Sequence, residues 1–172
     1  MAASVSARYN LDLRVTETLG LGLDLAADGL GVVQTIAGFS GTLHGASTVP
    51  ATMVFSDTRT LAAGTDTLDL TALTKSSILT AITMTGLRVR LLMISTAAAN
   101  TSPIVVAKGA SNGYFVWGAT SDQVTIGGAG TLPSAILLYA GQGCPAVSSS
   151  AKNITITSSD TDAIYSVIIV AG

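Results

Sequence analysis

The chain has 172 residues, of which 10% are charged and 48% hydrophobic, with a formal net charge of −2. That is long enough for one domain with its own core, and it excludes disorder, which requires low hydrophobicity and high charge. Its 8 Lys and Arg are scattered without a cluster, so no run of phosphates would be neutralised and no nucleic-acid partner is expected.

The missing charge is replaced by Ser, Thr, Gly and Ala. A surface so poor in Lys and Glu is a solubility liability for a free monomer. It suits a protein whose faces are covered by copies of itself or by another protein. Mean hydropathy is +0.59, yet glycine and proline break the longest uncharged stretches, 91–107 and 123–151. No membrane-spanning helix is expected. The opening MAASVSARYN lacks the apolar region of a signal peptide. A single cysteine, Cys144, rules out a disulfide within the chain.

In chain order, residues 1–10 read as an N-terminal arm that would lie across a neighbour. Leu11, Leu13 and Val15 alternate with Asp12, Arg14 and Thr16, the pattern of a half-buried strand. GLGLDLAADGLG follows, with a turn signal at Asp28–Gly29. Residues 32–36 and 52–55 are short strand candidates. Leu68, Leu70 and Leu73 fit a strand or one helical turn, and residues 75–83 are where a brief helix is expected.

From Gly86 the pattern firms. LRVRLLMIS sets Leu87, Val89, Leu91 and Met93 on one face and Arg88 and Arg90 on the other, with Leu92 and Ile94 then burying the second face. Strands are expected at 103–108, 113–117, 123–127, 135–140 and in NITIT. In the last strand, AIYSVIIV, Ile164, Val167 and Ile169 are read as inward and Tyr165, Ser166 and Ile168 as facing elsewhere. The spacing of roughly 8–14 residues between turn signals is that of an all-β protein. It gives a single domain over 1–172, about ten strands and at most one short helix. Two packed antiparallel sheets, a jelly-roll-like sandwich, are the expected solution, with a closed barrel the rival.

Several residues invite chemistry. His44 stands alone in TLHGAS, without the partners a metal site or acid–base dyad needs, and reads as a structural histidine. Cys144 in GQGCPAV has no evident base beside it and reads as a small apolar residue. GLGLDL at 20–25 and GGAG at 127–130 match no phosphate-loop spacing and read as turns. Asp160 and Asp162, and likewise Asp24 and Asp28, are too few for calcium and read as turn-stabilising residues. No catalytic constellation emerges, no cofactor or metal is implied, and an enzyme is not expected.

Two groups remain as candidate contacts. Tyr114, Phe115 and Trp117 form the one aromatic patch, GYFVWG. Tyr114 and Trp117 are candidate glycan contacts if exposed, and core residues otherwise. Arg59, Arg88 and Arg90 stand out because charge is scarce. They suit an intersubunit contact with an acidic strip, or a plain solvated face.

The stretch FSDTRTLAAGTDTLDLTALT (55–74), with GLRVRLLMIS, TIGGAG, AILLY and NITITSSDTDAIYSVIIVAG after it, resembles a group of small tailed-bacteriophage virion-associated structural proteins. The matching residues are Asp57, Arg59, Thr60, Leu61, Leu68, Asp69, Leu70 and 168–172. The likeness runs over 55–172, and GQGCPAVSSSAK departs from the group's pattern before the last hairpin. The resemblance implies a head decoration or cement protein on the capsid surface, made in the host cytoplasm. Its partners would be itself, as a homo-oligomer with a trimer favoured, and the major capsid protein. The alternatives are a glycan- or receptor-binding module of a head or tail fibre and a self-assembling single-sandwich capsid protein.

Overall fold

The computed structural model describes residues 6–19, 30–44, 46, 48–75, 78–116, 123–127, 132–141 and 144–172; side chains within 6–44 are described at Arg8 and Leu43. Among these residues the chain is all-β, with no helix. β1 (Ser6–Leu19) and β2 (Leu30–His44) form an antiparallel ribbon, a two-stranded sheet of its own with one irregularity between Leu11 and Leu13. Residues 6–10, expected as an arm, are the first part of β1, paired to 40–44.

Ten further strands follow: β3 (Met53–Thr60), β4 (Thr65–Asp69), β5 (Leu73–Lys75), β6 (Ile78–Ile82), β7 (Val89–Thr96), β8 (Ile104–Lys108), β9 (Gln123–Ile126), β10 (Ala135–Tyr139), β11 (Asn153–Thr157) and β12 (Ile164–Ala171). Eight of them make two four-stranded sheets, ordered β10-β7-β12-β3 and β4-β11-β8-β9. All pairs are antiparallel, and they nest: β3 with β12, β4 with β11, β7 with β10, β8 with β9.

The expected brief helix at 75–83 is instead the β5–β6 hairpin. Two strands pairing through Leu73–Ile82 satisfy backbone groups that a single helical turn would leave open. Among the described residues of the strand expected at 113–117, which are 113–116, no strand forms. Gly113 makes one isolated parallel bridge to Asn153, whose carbonyl also accepts from the Tyr114 amide at 2.8 Å, and Phe115 and Val116 lie in no strand.

The two sheets face each other across one apolar core. Side chains alternate along a strand, so each sheet gives every second residue to that core. From β12 come Tyr165, Val167, Ile169 and Ala171; from β11 and β8 opposite come Ile154, Ile156, Ile104 and Val106. Each such aliphatic residue contributes about 1.5–3 kcal/mol by leaving water. The reading of the last strand needs one correction. Tyr165 points inward and is fully buried, while Ile164 is 36% exposed. A strand has period two, so Ile164 cannot share a face with Val167.

β7 also departs from simple alternation. Val170 pairs with Leu91, but Ala171 pairs with Val89, so Arg90 is an extra residue in a bulge. The bulge returns Val89 to the core beside Leu92 and Ile94, and turns Leu91 and Met93 to the outer face.

Candidate functional site

Register defines the outer face of the β10-β7-β12-β3 sheet. One row crosses it as Tyr139, Leu91, Val170 and Val54. The next row is Leu137, Met93, Ile168 and Ser56, and the third is Ala135, Ser95, Ser166 and Thr58. None of these twelve residues is charged. The first row is covered: Leu43, at the foot of β2, packs with Ala51, Leu91 and Val170, and Val49 and Tyr139 flank them. In the second row Met93 packs against that same cluster, while Leu137 and Ile168 stay open, 45% and 38% exposed. The third is a hydroxyl strip, in which Thr58 Oγ1 and Ser166 Oγ lie 2.9 Å apart.

A face with apolar residues in the open and no charge loses little by being covered, because nothing on it must be stripped of tightly held water. The pattern was legible as AILLY, LRVRLLMIS and AIYSVIIV, each apolar on both faces. Only the register shows that their surplus residues converge on one row.

The three arginines are occupied inside the chain. Arg59 Nε donates to Asp66 Oδ2 at 2.6 Å and Arg59 Nη1 to the Thr74 carbonyl at 2.9 Å. Asp57 stands 3.7 Å from the same guanidinium. Burial works against the Arg59 charge, but the hydrogen bond and charge of Asp66 outweigh it and raise its pKa. Tyr165 donates to the same carboxylate oxygen at 2.6 Å. β3 and β4 are the edge strands of the two sheets. The cluster therefore closes the seam between those edges, with the β5 end over it. A cleft of about 190 Å³ lies outside it, lined by Arg59, Thr60, Thr74 and Lys75.

Arg88 and Arg90 work at the other end. Arg88 Nη1 donates to the Cys144 carbonyl at 2.8 Å, and Arg90 donates to the Gly141 and Gly172 carbonyls at 2.7 and 3.0 Å. Both stitch loop and chain-end carbonyls to the bulge. All three arginines, expected as intersubunit contacts, make hydrogen bonds within the fold.

Tyr114 is a correction too. It is fully buried, so its ring cannot stack on a sugar; its hydroxyl donates to the Pro145 carbonyl at 2.6 Å and accepts from the Val89 amide at 3.2 Å. Burial pushes its pKa up to about 12. Trp117 lies outside the described residues, as do Asp24, Asp28 and residues 20–25 and 128–131. Phe115 has Lys108 Nζ 4.9 Å from its ring centroid, a cation–π contact.

Cys144 is buried, and burial raises its thiol pKa, with Arg90 and Arg88 opposing. This leaves it the neutral, less reactive form. His44 falls at the end of β2, paired with Ser6. Asp160 holds a turn: its carboxylate accepts from the Thr101 amide and hydroxyl and from the Asp162 amide, which lowers its pKa. Among the described residues, no three His, Cys, Asp or Glu gather as a metal site.

Sequence reasoning missed Asp66 and Asn100. Asn100 is buried and pairs with both backbone groups of Ile164 at 2.8 Å, standing in for one more residue of β-ladder. Among the described residues, the outer sheet face combines exposed apolar side chains with an absence of charge, and the polar clusters bond strands and turns of the same fold. No protein-family model, curated protein or solved structure matches this chain.

Proposed function

We propose that this protein is a virion structural protein, a bacteriophage head decoration or cement protein that self-associates and stabilises the shell by burying surface. The observation that carries the reading is the uncharged outer face of the β10-β7-β12-β3 sheet, with Leu137 and Ile168 in the open. The nested strand pairing supports it. Among the eight sandwich strands we read first with eighth, second with seventh, third with sixth and fourth with fifth as a jelly-roll-like winding, an architecture shared by capsid and lectin domains. Fold alone does not choose among those uses.

The choice rests on the resemblance of residues 55–172 and on a charge content of 10%. The glycan-binding alternative is weakened by the burial of Tyr114. The proposed mechanism has no chemical step: apolar rows desolvate against a neighbour, and hydroxyls such as Ser166 and Thr58 pair at the margin. The test is immunogold electron microscopy on lysates of cells producing the encoding phage, with antibody against this chain. Label on the outer surface of heads is expected. Label on tails or fibres only, or in the soluble fraction only, would overturn the reading.

A further inference from the structure

Asparagine followed by glycine is chemically labile. The glycine nitrogen, with no Cβ beside it, is free to attack the asparagine side chain and expel its amide as ammonia. Four asparagines occur in the chain, Asn10, Asn100, Asn112 and Asn153, and Asn112 alone precedes a glycine.

The fold itself calls for both residues of that pair. Asn112 is exposed and has a φ of 51°, a left-handed backbone that asparagine enters more readily than most residues. At Gly113 a Cβ would collide with the Gly109 carbonyl oxygen, so a larger residue fits there only if backbone moves. The labile pair is therefore a consequence of how this turn is built.

The turn is buckled to the start of β11. The Asn112 carbonyl accepts from the Lys152 and Asn153 amides at 2.8 and 2.9 Å, and the Asn153 carbonyl accepts from the Gly109 and Tyr114 amides, both at 2.8 Å. Asn153 Nδ2 donates to the Ser111 carbonyl at 2.9 Å. Gly113, between these contacts, donates its own amide to no acceptor among the described residues. The nitrogen that would attack is thus unengaged, while the carbonyl of the same peptide is held twice.

We propose that Asn112 is a deamidation site gated by this buckle. The Gly113 nitrogen bonds to Asn112 Cγ, the Cγ–Nδ2 bond breaks, and the nitrogen's proton leaves with the amide as ammonia. Water then opens the succinimide ring. Cleavage of the new N–Cγ bond gives aspartate, and cleavage of the original N–C bond gives isoaspartate.

The gate follows from the backbone. Left-handed backbone has ψ near about +47°, which sets the Gly113 nitrogen on the opposite side of the Cα–C bond from Cβ. Ring closure needs the two on the same side, so the peptide must rotate first. Rotation pulls the Asn112 carbonyl off the Lys152 and Asn153 amides. A closed buckle suppresses the reaction, and each local opening permits it. Isoaspartate carries an extra carbon in the main chain, so the carbonyl of residue 112 no longer returns to both amides. The change is one-way, and it sits beside the segment that leads into Tyr114, whose buried hydroxyl bonds Val89 and Pro145. It does not depend on the assembly role proposed above.

The test is peptide mapping by mass spectrometry of the full-length protein, folded and in urea, over weeks at mildly alkaline pH. In the folded protein, amide loss is expected at Asn112 ahead of Asn10, Asn100 and Asn153, with isoaspartate the main product. It should run slower than in the urea-unfolded chain by roughly tenfold or more, the factor for breaking two hydrogen bonds of ordinary net strength. The isolated isoaspartyl form should unfold at lower urea than the unmodified protein. Asn112→Gly keeps a residue suited to the left-handed turn and should abolish the signal. Conversion at Asn112 no faster than at the other asparagines, or a signal that persists in Asn112→Gly, would overturn the site. Equal rates in folded and unfolded protein, or an unchanged urea midpoint in the isoaspartyl form, would overturn the gate.

Discussion

Tyr165 donates its hydroxyl to Asp66 Oδ2 at 2.6 Å, and that bond ties the central strand of one sheet to the edge strand of the other. Arg59, the register partner of Tyr165, donates to the same oxygen at 2.6 Å. One carboxylate thus satisfies two donors at the seam, on side chains that are 21% and 17% exposed for Arg59 and Asp66.

Removing Asp66 leaves a guanidinium and a phenol without their acceptor. Asp66→Ala is expected to cost about 2–3 kcal/mol, below the range for fully buried pairs because water reaches this one. Tyr165→Phe should cost about 1 kcal/mol. Urea unfolding of the two single variants and the double variant gives the coupling, expected at 0.5 kcal/mol or more on the scale typical of directly bonded neighbours. Strict additivity would show that the bond has no energetic weight.

Tyr114 clamps the β7 bulge between the Val89 amide and the Pro145 carbonyl. Its folded-state pKa, about 12, lies above the ordinary phenol value near 10. The folded state therefore holds this proton more tightly. The associated stability is complete below about pH 10 and is lost as pH rises toward 12. Urea midpoints measured from pH 8 to 11.5 should fall on the alkaline side, with a shallower fall in Tyr114→Phe. At neutral pH that variant should lose about 1–2 kcal/mol, because two buried backbone groups lose their partner. An identical alkaline slope in both proteins would refute the assignment.

The fold class was readable because period-two alternation and turn spacing are local signals, and NITIT and AIYSVIIV carry both. Partnership was not readable. Arg59 and Asp66 are seven residues apart, but Asp66 and Tyr165 are separated by ninety-nine. The bulge at Arg90 leaves no mark in LRVRLLMIS, since it depends on Val170 and Ala171 across the ladder. Nothing in TAAANTSP marks Asn100 as the ladder mimic that it is for Ile164, sixty-four residues away. The sequence leaves Tyr114 between core and contact, because an aromatic patch looks the same whether it is buried or exposed; burial decides for the core.

Acid should weaken the fold through Asp69. Burial alone would raise its pKa, but hydrogen bonds from Lys152, at 2.6 Å, and Thr71 lower it. A depressed folded-state pKa means that the unfolded chain takes up the proton first. The stabilisation is therefore present above the ordinary carboxylate value near 4 and is lost as pH falls through the lower folded value. Asp69→Asn should flatten part of the decline in thermal midpoint between pH 5 and 2, and Lys152→Met should flatten it similarly. Unchanged acid limbs in both would exclude the pair as a source.

The turn from β3 to β4 offers a stabilising substitution. Ala63 and Gly64 have φ of 52° and 77°, and the Thr65 amide donates to the Ala62 carbonyl at 3.2 Å. Two consecutive left-handed residues inside that bond make a type I′ turn, which favours Asn-Gly. Gly64 has no substitute: a Cβ there would lie 2.6 Å from the Ser158 carbonyl oxygen, so Gly64→Ala should cost about 2–4 kcal/mol from strain and clash together. Ala63 is different, because it is exposed and only its backbone is unfavourable. Asn tolerates the left-handed region better than Ala. Ala63→Asn should therefore raise stability by about 0.5–1 kcal/mol, seen as a thermal midpoint about 1–4 °C higher. A lower midpoint would mean that the turn adopts another geometry in solution.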